Sequence, residues 1–191
     1  MRRARYRLGQ FLSHLWPRPL APAERAEIET TLGAGLAQLF RRQTAGEQAH
    51  SLRVMRTVAA GGGPYAMRPE LQQAALLHDV GKSIAPLNLA ERALVVLVRR
   101  LAPSAARRWG AGSPTGGFAT GGFATGGFAT GLRRPFVTAR QHADWGADLC
   151  ARAGAAPLTV SLIRRHQTRV SAPATPEDEM LALLQAADDD N

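Results

Sequence analysis

The stretch Ala74-Ala75-Leu76-Leu77-His78-Asp79-Val80-Gly81-Lys82 places a histidine and an aspartate at the end of an apolar run. Alanine and leucine favour a helix, so the pattern predicts a buried helix over residues 69–79. Neighbouring helical residues project about 100° apart, so both polar side chains can reach one point only beside a cavity. Imidazole nitrogen and carboxylate oxygen are ligands of divalent metals, and the alternative is a simple buried His–Asp hydrogen bond.

Two residues after this pair extend the pattern. Gly81 can take the left-handed conformation that ends a helix, and the pattern predicts that the helix stops there. Lys82 is the only lysine in a chain with 24 lysines and arginines. A compact ammonium kept beside the His–Asp pair suggests a specific role for Lys82.

The composition predicts an all-α protein. The chain has 191 residues, of which 45% are hydrophobic and 20% charged, as in an ordinary soluble globular protein. Helix-forming residues dominate and β-branched residues are sparse. The single cysteine, Cys150, excludes an internal disulfide and lies in an apolar helical pattern, which predicts a small core residue.

The formal net charge of +9 predicts attraction to phosphate groups, whether in a nucleotide, a nucleic acid or an anionic lipid. No run approaches the roughly 20 apolar residues of a transmembrane helix. Polar residues also interrupt the basic N-terminal segment, unlike the apolar core of a signal peptide. We therefore expect a cytoplasmic protein without a membrane span.

The sequence predicts two regions. Residues 1–43 are expected to form N-terminal peripheral helices, an amphipathic one over residues 2–16 and another over residues 22–42. Residues 44–191 are expected to form the helical domain. Within it, a low-complexity loop over residues 112–132 contains three copies of Gly-Gly-Phe-Ala-Thr, which are typical of a flexible insertion.

Capping residues and prolines delimit the remaining predicted helices. Thr44 and Glu47 form a capping box at the start of a helix over residues 44–60. A helix over residues 86–108 contains Pro103, which can split it. Further helices are predicted over residues 136–153, from residue 157, and after the N-cap Thr175.

Six ligand-type side chains fall late in, or on the inward side of, these helices. Among the three terminal aspartates, helical phase favours Asp188, because Leu184 and Leu181 precede it by four and seven residues. A solvated acidic end is the alternative. Buried charge without a partner is costly, so the six groups predict one or two metal ions in the core. They are His50, His78, Asp79, His142, His166 and Asp188.

This order of residues resembles the HD-domain superfamily of metal-dependent phosphohydrolases. Leu-Leu-His-Asp-Val-Gly-Lys, at residues 76–82, is similar to the central motif of that family. His-Ala-Asp-Trp-Gly from His142 resembles the HxxxG element of binuclear members, and Arg-Arg-His-Gln around His166 resembles an element that often contains two histidines. Arg165 and the lack of a GYP segment depart from the HD-GYP pattern. The resemblance covers residues 44–190.

The resemblance implies an HD-domain-like helical bundle and a role for each residue. His50, His78, Asp79 and Asp188 would hold one ion, and Asp79 would bridge to a second ion. His142 and His166 would complete the second site, while Asp79 and Lys82 would be the catalytic residues. The ions would be Mn, Fe, Co, Ni, Zn or Mg. Arg53 and Arg165 are further candidates for binding phosphate oxygens.

The function implied is phosphomonoesterase or phosphodiesterase activity on a small phosphorylated molecule, for which a nucleotide is one candidate. Two alternatives stay open. One is a non-catalytic HD module with a signalling or scaffold role. The other is a basic nucleic-acid-binding protein, although the chain has no recognised binding motif of that class.

Overall fold

A computed structural model describes residues 19–111 and 131–191. Within them the chain forms eight α-helices, two short 3-10 helices and no β-strand, which confirms the predicted all-α class. The predicted helix over residues 2–16 and the Gly-Gly-Phe-Ala-Thr repeats lie outside the described residues. The helices are α1 (Pro22–Phe40), α2 (Ala45–Ala60), α3 (Pro69–Leu77), α4 (Leu89–Leu101), α5 (Pro103–Gly110), α6 (Arg134–Arg152), α7 (Pro157–Arg165) and α8 (Pro176–Asp190), and the 3-10 helices are Val80–Ile84 and Gly131–Arg133.

The described residues divide into two units. The first unit contains the chain up to Ser83 together with Ala143–Asn191, and so includes α1, α2, α3, α7, α8 and the second half of α6. The second unit is Ile84–His142 and includes α4, α5 and the first half of α6. The predicted division between residues 43 and 44 stays a prediction.

Helix α3 lies at the centre of the first unit, where it contacts α1, α2, α7 and α8. It begins with Pro69 at its first position and carries Glu70 in its first turn, near the positive end of the helix dipole. Its small alanines allow neighbouring helices to approach, and its leucines fill the core. The residues from Ala74 to Leu77 are fully buried, so the chain leaves α3 inside the core.

Side-chain caps set the starts of α2 and α8, as the sequence predicts. Thr44 Oγ1 accepts a hydrogen bond from the Glu47 amide at 3.3 Å, and the Glu47 carboxylate accepts one from the Thr44 amide at 3.0 Å. Thr175 Oγ1 accepts a hydrogen bond from the Asp178 amide at 3.1 Å. These bonds satisfy amides that a helix start leaves without partners.

The end of α3 differs from the prediction. The α-helix stops at Leu77 rather than Asp79, with His78 as its C-cap, and the chain tightens into the 3-10 helix. Gly81 lies within that 3-10 helix and has no positive φ, so it does not take the left-handed conformation. Close packing at this turn instead requires a glycine in α6. A Cβ on Gly146 would lie 3.1 Å from the Gly81 amide nitrogen.

Two glycines, Gly33 and Gly35, shape α1. Gly33 has φ +67° and kinks the helix, a conformation that glycine adopts without steric cost. A Cβ on Gly35 would lie 3.3 Å from the Ala153 carbonyl oxygen, so this glycine permits close packing in the first unit.

The second unit has its own small core of Val95, Ala106 and Phe136. The Trp109 ring meets Phe136 edge-on, with 5.1 Å between ring centroids. The chain breaks between α4 and α5 at Ala102, which confirms the predicted split at Pro103.

Helix α4 begins at Leu89 rather than residue 86. Asn88 caps it by accepting a hydrogen bond from the Glu91 amide at 2.9 Å.

Cys150 is buried in α6, as predicted, and burial raises the pKa of its thiol to about 12. The thiol therefore behaves as a small apolar group at neutral pH. Among the described helices, none combines the length and the apolarity that crossing a bilayer requires.

Candidate metal centre

Three helices of the first unit bring a histidine, a second histidine and an aspartate together. His50 lies in α2, His78 caps α3, and Asp188 lies in the last turn of α8. Each offers one ligand atom, and these three atoms lie within 4.8 Å of one another. The sequence separation between His50 and Asp188 is 138 residues, so only the tertiary fold creates this cluster.

The spacing of these atoms suits a bound divalent ion. His50 Nε2 lies 3.0 Å from Asp188 Oδ1, and His78 Nε2 lies 3.5 Å from the same oxygen. Ligands about 2.1 Å from one ion are about 3.0 to 3.4 Å apart at octahedral or tetrahedral angles. Three protein ligands also leave coordination positions open, as in catalytic rather than structural sites.

His78 is oriented for coordination by a backbone carbonyl. Its Nδ1 donates to the Ala75 carbonyl oxygen at 3.0 Å, so the Nδ1 atom carries a proton. Its Nε2 is buried and has no hydrogen-bond partner among the described residues, with carboxylate oxygens of Asp188 and Asp79 at 3.5 and 3.6 Å. A buried nitrogen aimed between two carboxylates fits a metal ligand held by a hydrogen bond behind it.

Asp79 lies beside this cluster and forms an ion pair with Lys82. Its Oδ2 is 2.5 Å from Lys82 Nζ, and its Oδ1 is 3.9 Å from His166 Nε2. The Asp79 side chain is buried, while that of Lys82 is 31% exposed. The ammonium therefore neutralises a buried carboxylate and still reaches the edge of the site.

His166 resembles His78 in its orientation. Its Nδ1 donates to the Ile163 carbonyl oxygen at 2.7 Å, which leaves Nε2 on the side of Asp79. The His166 and His78 rings meet edge-on with centroids 5.3 Å apart. The first unit thus brings five of the six predicted metal ligands close together: His50, His78, Asp79, His166 and Asp188.

The sixth predicted ligand, His142, is the last residue of the second unit. It is buried, and its Nδ1 donates to the Thr138 carbonyl oxygen at 3.0 Å, one turn earlier in α6. This bond leaves its Nε2 as the ligand atom, as in His78 and His166. Its role as a metal ligand stays a prediction.

The terminal aspartates separate as helical phase predicts. Asp188 faces His50, whereas Asp189 points away and pairs with Arg169 at 2.6 Å. The Asp188 side chain is 36% exposed, so it lies at the rim of the cluster rather than deep in the core.

Charges in the cluster shift the pKa values of its members. Burial lowers the pKa of His78, but the negative charges of Asp79 and Asp188, whose oxygens lie 3.6 and 3.5 Å from Nε2, outweigh it and raise that pKa to about 9. Burial also lowers the pKa of His50, more than its hydrogen bond to Asp188 raises it. Burial raises the pKa of Asp188, but the hydrogen bond from His50 and the positive charge of His78 dominate and lower it. Asp188 is therefore ionised at neutral pH and ready to bind a cation.

Two buried glutamines, which sequence reasoning missed, support the histidines from behind. Gln43 Nε2 donates to the Leu76 carbonyl oxygen at 3.1 Å, close to His78. Gln185 Nε2 donates to the His166 carbonyl oxygen at 3.0 Å. Both satisfy carbonyls at helix ends, which would otherwise be buried without donors. Helical phase gives no signal for Gln43, which lies between α1 and α2, whereas Gln185 follows Leu181 by four residues in α8.

One predicted phosphate-binding arginine has other partners. Arg165 lies 2.6 Å from Glu177 and 2.5 Å from Asp178, so two carboxylates occupy its guanidinium. This arrangement disfavours the interpretation of Arg165 as a phosphate ligand. The role of Arg53 stays a prediction.

Comparisons of the chain with family models, with curated proteins and with solved structures find no match. The candidate site therefore rests on its geometry, which is a buried His/Asp cluster that could hold a metal ion.

Proposed function

We propose that this chain is a metal-dependent phosphohydrolase of the HD type that acts on a small phosphorylated molecule, with a nucleotide as one candidate. The observation that carries the proposal is the convergence of His50, His78 and Asp188 from three separate helices. Ligand-type side chains rarely share a core by chance, because burying them without partners is costly.

The chain's own residues would prepare the site. Backbone carbonyls hold the His78 and His166 rings so that both Nε2 atoms face the carboxylates. A divalent ion bound there would polarise a phosphate group and lower the pKa of water. Asp79 would bind the metal ion, while its ion pair with Lys82 partly neutralises the negative charge of the carboxylate.

Lys82 gives the proposal its link to phosphate. Its side chain is partly exposed, and its compact ammonium can contact a phosphate oxygen while it remains near Asp79. A fixed cation of this kind stabilises the charge that develops on phosphate oxygens during hydrolysis.

A second ion, held by Asp79, His142 and His166, remains part of the proposal. All three side chains are buried. Metal analysis of the purified protein distinguishes one ion per chain from two. If the parent protein holds two ions, His142→Ala should hold one. An unchanged count in this variant would show that His142 is not a ligand.

The test of function uses protein stripped with a chelator and reloaded with Mn, Fe, Co, Ni, Zn or Mg in turn. Reloaded protein should hydrolyse p-nitrophenyl phosphate or its bis ester, and the preferred ester distinguishes a monoesterase from a diesterase. Asp79→Ala should reduce the rate by at least about 100-fold, as loss of a group that orders a metal site does. The matched control is Asp144→Ala, because that exposed carboxylate pairs with Arg164 and is not one of the predicted ligands.

Circular dichroism must show retained helix in the Asp79→Ala protein. Equal hydrolysis by this variant and the parent would contradict the proposed mechanism. A metal-loaded protein that is inert on both esters would instead favour the non-catalytic module.

A further inference from the structure

Most of the net positive charge of this chain belongs to the second unit. Residues 84–142 contain eight arginines and a single acid, Glu91, which gives a formal charge of +7. Residues 19–83 and 143–191 contain eleven basic and fourteen acidic residues. Residues 1–18 add five arginines and no acid, so seven of the nine net positive charges of the chain belong to residues 84–142.

A surface cleft of about 280 Å³ lies within the second unit and is lined by residues of all three of its helices. Arg99 comes from the end of α4, Arg107 from α5 and Arg140 from α6. The buried residues Ala106 and Phe136 contribute apolar surface to its lining. The volume suits a small ligand rather than a protein segment.

These three arginines have no carboxylate partner within the described residues. Glu91, the single acid of this unit, instead lies 2.5 Å from Arg134. Three exposed guanidiniums that share one cleft repel one another, and no described side chain in the lining offsets that repulsion. An anion would.

The packing around the cleft places Arg140 in a defined position. A Cβ on Gly110 would lie 3.1 Å from Cβ and Cδ of Arg140, so the absent side chain makes room for the arginine stem. The core of Val95, Ala106 and Phe136 supports the helices beneath. The cleft therefore rests on packed helices and not on a loop.

We propose that this cleft, whose lining shares no residue with the candidate metal centre, binds a small ligand carrying two or more phosphates. Guanidinium groups bind phosphate oxygens through paired hydrogen bonds, and three of them match the charge of a diphosphate. This inference does not depend on the proposed hydrolase function.

The test measures binding of inorganic pyrophosphate to the full-length, metal-stripped protein by calorimetry at physiological salt. Arg107→Gln and Arg140→Gln should each weaken binding by about tenfold, as expected for one charge-assisted hydrogen-bonded contact. Arg100→Gln and Arg108→Gln are matched controls, because they remove the same charge from α4 and α5 outside the cleft. Each control should change the affinity by less than about twofold, since salt screens exposed charges at a distance.

Four results would overturn the proposal. One is the absence of pyrophosphate binding, and another is a loss in the controls equal to that in the cleft variants. The third is that single-stranded RNA binds far more tightly than pyrophosphate and is weakened equally by the two cleft variants and the two control variants. That result would indicate a nucleic-acid surface. Asp79→Ala should leave pyrophosphate binding unchanged, and a loss in that variant would place the ligand at the metal centre.

Discussion

The tautomers of individual histidines organise the candidate centre. A carbonyl oxygen can only accept, so the Nδ1 bonds of His78, His142 and His166 each place a proton on Nδ1. In the neutral form of such a ring the lone pair lies on Nε2, the atom available for a metal. Because the pKa of His78 is raised to about 9, a metal ion would displace a proton from its Nε2 at neutral pH. The same device recurs in all three residues because each histidine follows its carbonyl by three or four residues, within one helical turn.

Asp188 and Asp189 provide a residue-scale prediction, because they are adjacent and differ only in partner. Asp188→Asn should weaken metal binding by at least about 100-fold, since it removes a charged ligand between His50 and His78. Asp189→Asn should leave metal affinity unchanged, because it loses only an exposed pair with Arg169. Calorimetric titration with Mn or Zn measures both, and equal affinities for the two variants would refute the assignment of Asp188.

At the scale of elements, the position of His78 and Asp79 depends on how α3 ends. If the α-helix continued, Asp79 would keep the regular helical angle to His78. The α-helix instead ends at Leu77, and the 3-10 helix that follows changes the direction of the chain near Asp79. The turn is held by the Lys82 amide, which donates to the Asp79 carbonyl oxygen at 2.9 Å, and by α6, which approaches at Gly146. The space at Gly146 is thus filled by the backbone of the neighbouring turn.

Gly146→Ala tests this contact. The added Cβ would lie 3.1 Å from the Gly81 nitrogen and 3.3 Å from Val80 Cγ1, so the turn after α3 must shift. We expect the free energy of unfolding to fall by about 1–3 kcal/mol, as for overpacking of a core, together with weaker metal binding. Gly61→Ala is the control, because its Cβ would meet the nearest atoms at 3.4 Å and its φ is −65°. Urea unfolding of both variants measures the difference, and a stabilised Gly146→Ala protein would contradict the packing argument.

At the scale of the whole molecule, the candidate ligands connect the ends of the described chain. His50 and Asp188 belong to helices that meet only when α2 and α8 pack together, and His78 adds α3. An ion bound by all three would bind the folded state and not the unfolded chain. Metal binding should therefore be coupled to global stability.

Thermal unfolding measures that coupling. At a free metal concentration about 100 times the Kd, stabilisation is about 2.7 kcal/mol, which corresponds to a rise in Tm of about 5–10 °C for a domain of this size. His78→Ala should show a smaller rise or none, because it removes the central ligand of the cluster. A Tm that metal does not change in the parent protein would contradict a site built from three helices.

The sequence by itself determined the helical class, the capped starts of α2 and α8, the break at Pro103 and the choice of Asp188 over its neighbours. These features depend on local hydrogen bonds and on helical phase, both of which operate within a few residues. The ligand types are likewise visible in the sequence, and most of the predicted ligands could be selected from it.

Only the tertiary structure decided which of those side chains meet and how they are held. The 3-10 turn after α3, the contact of Gly146 with Gly81, the support from Gln43 and Gln185, and the capture of Arg165 by two acids all join distant parts of the chain. The arginine cleft of the second unit belongs to the same class. The physical reason is that such contacts arise from packing between helices, whose relative placement no short pattern of residues encodes.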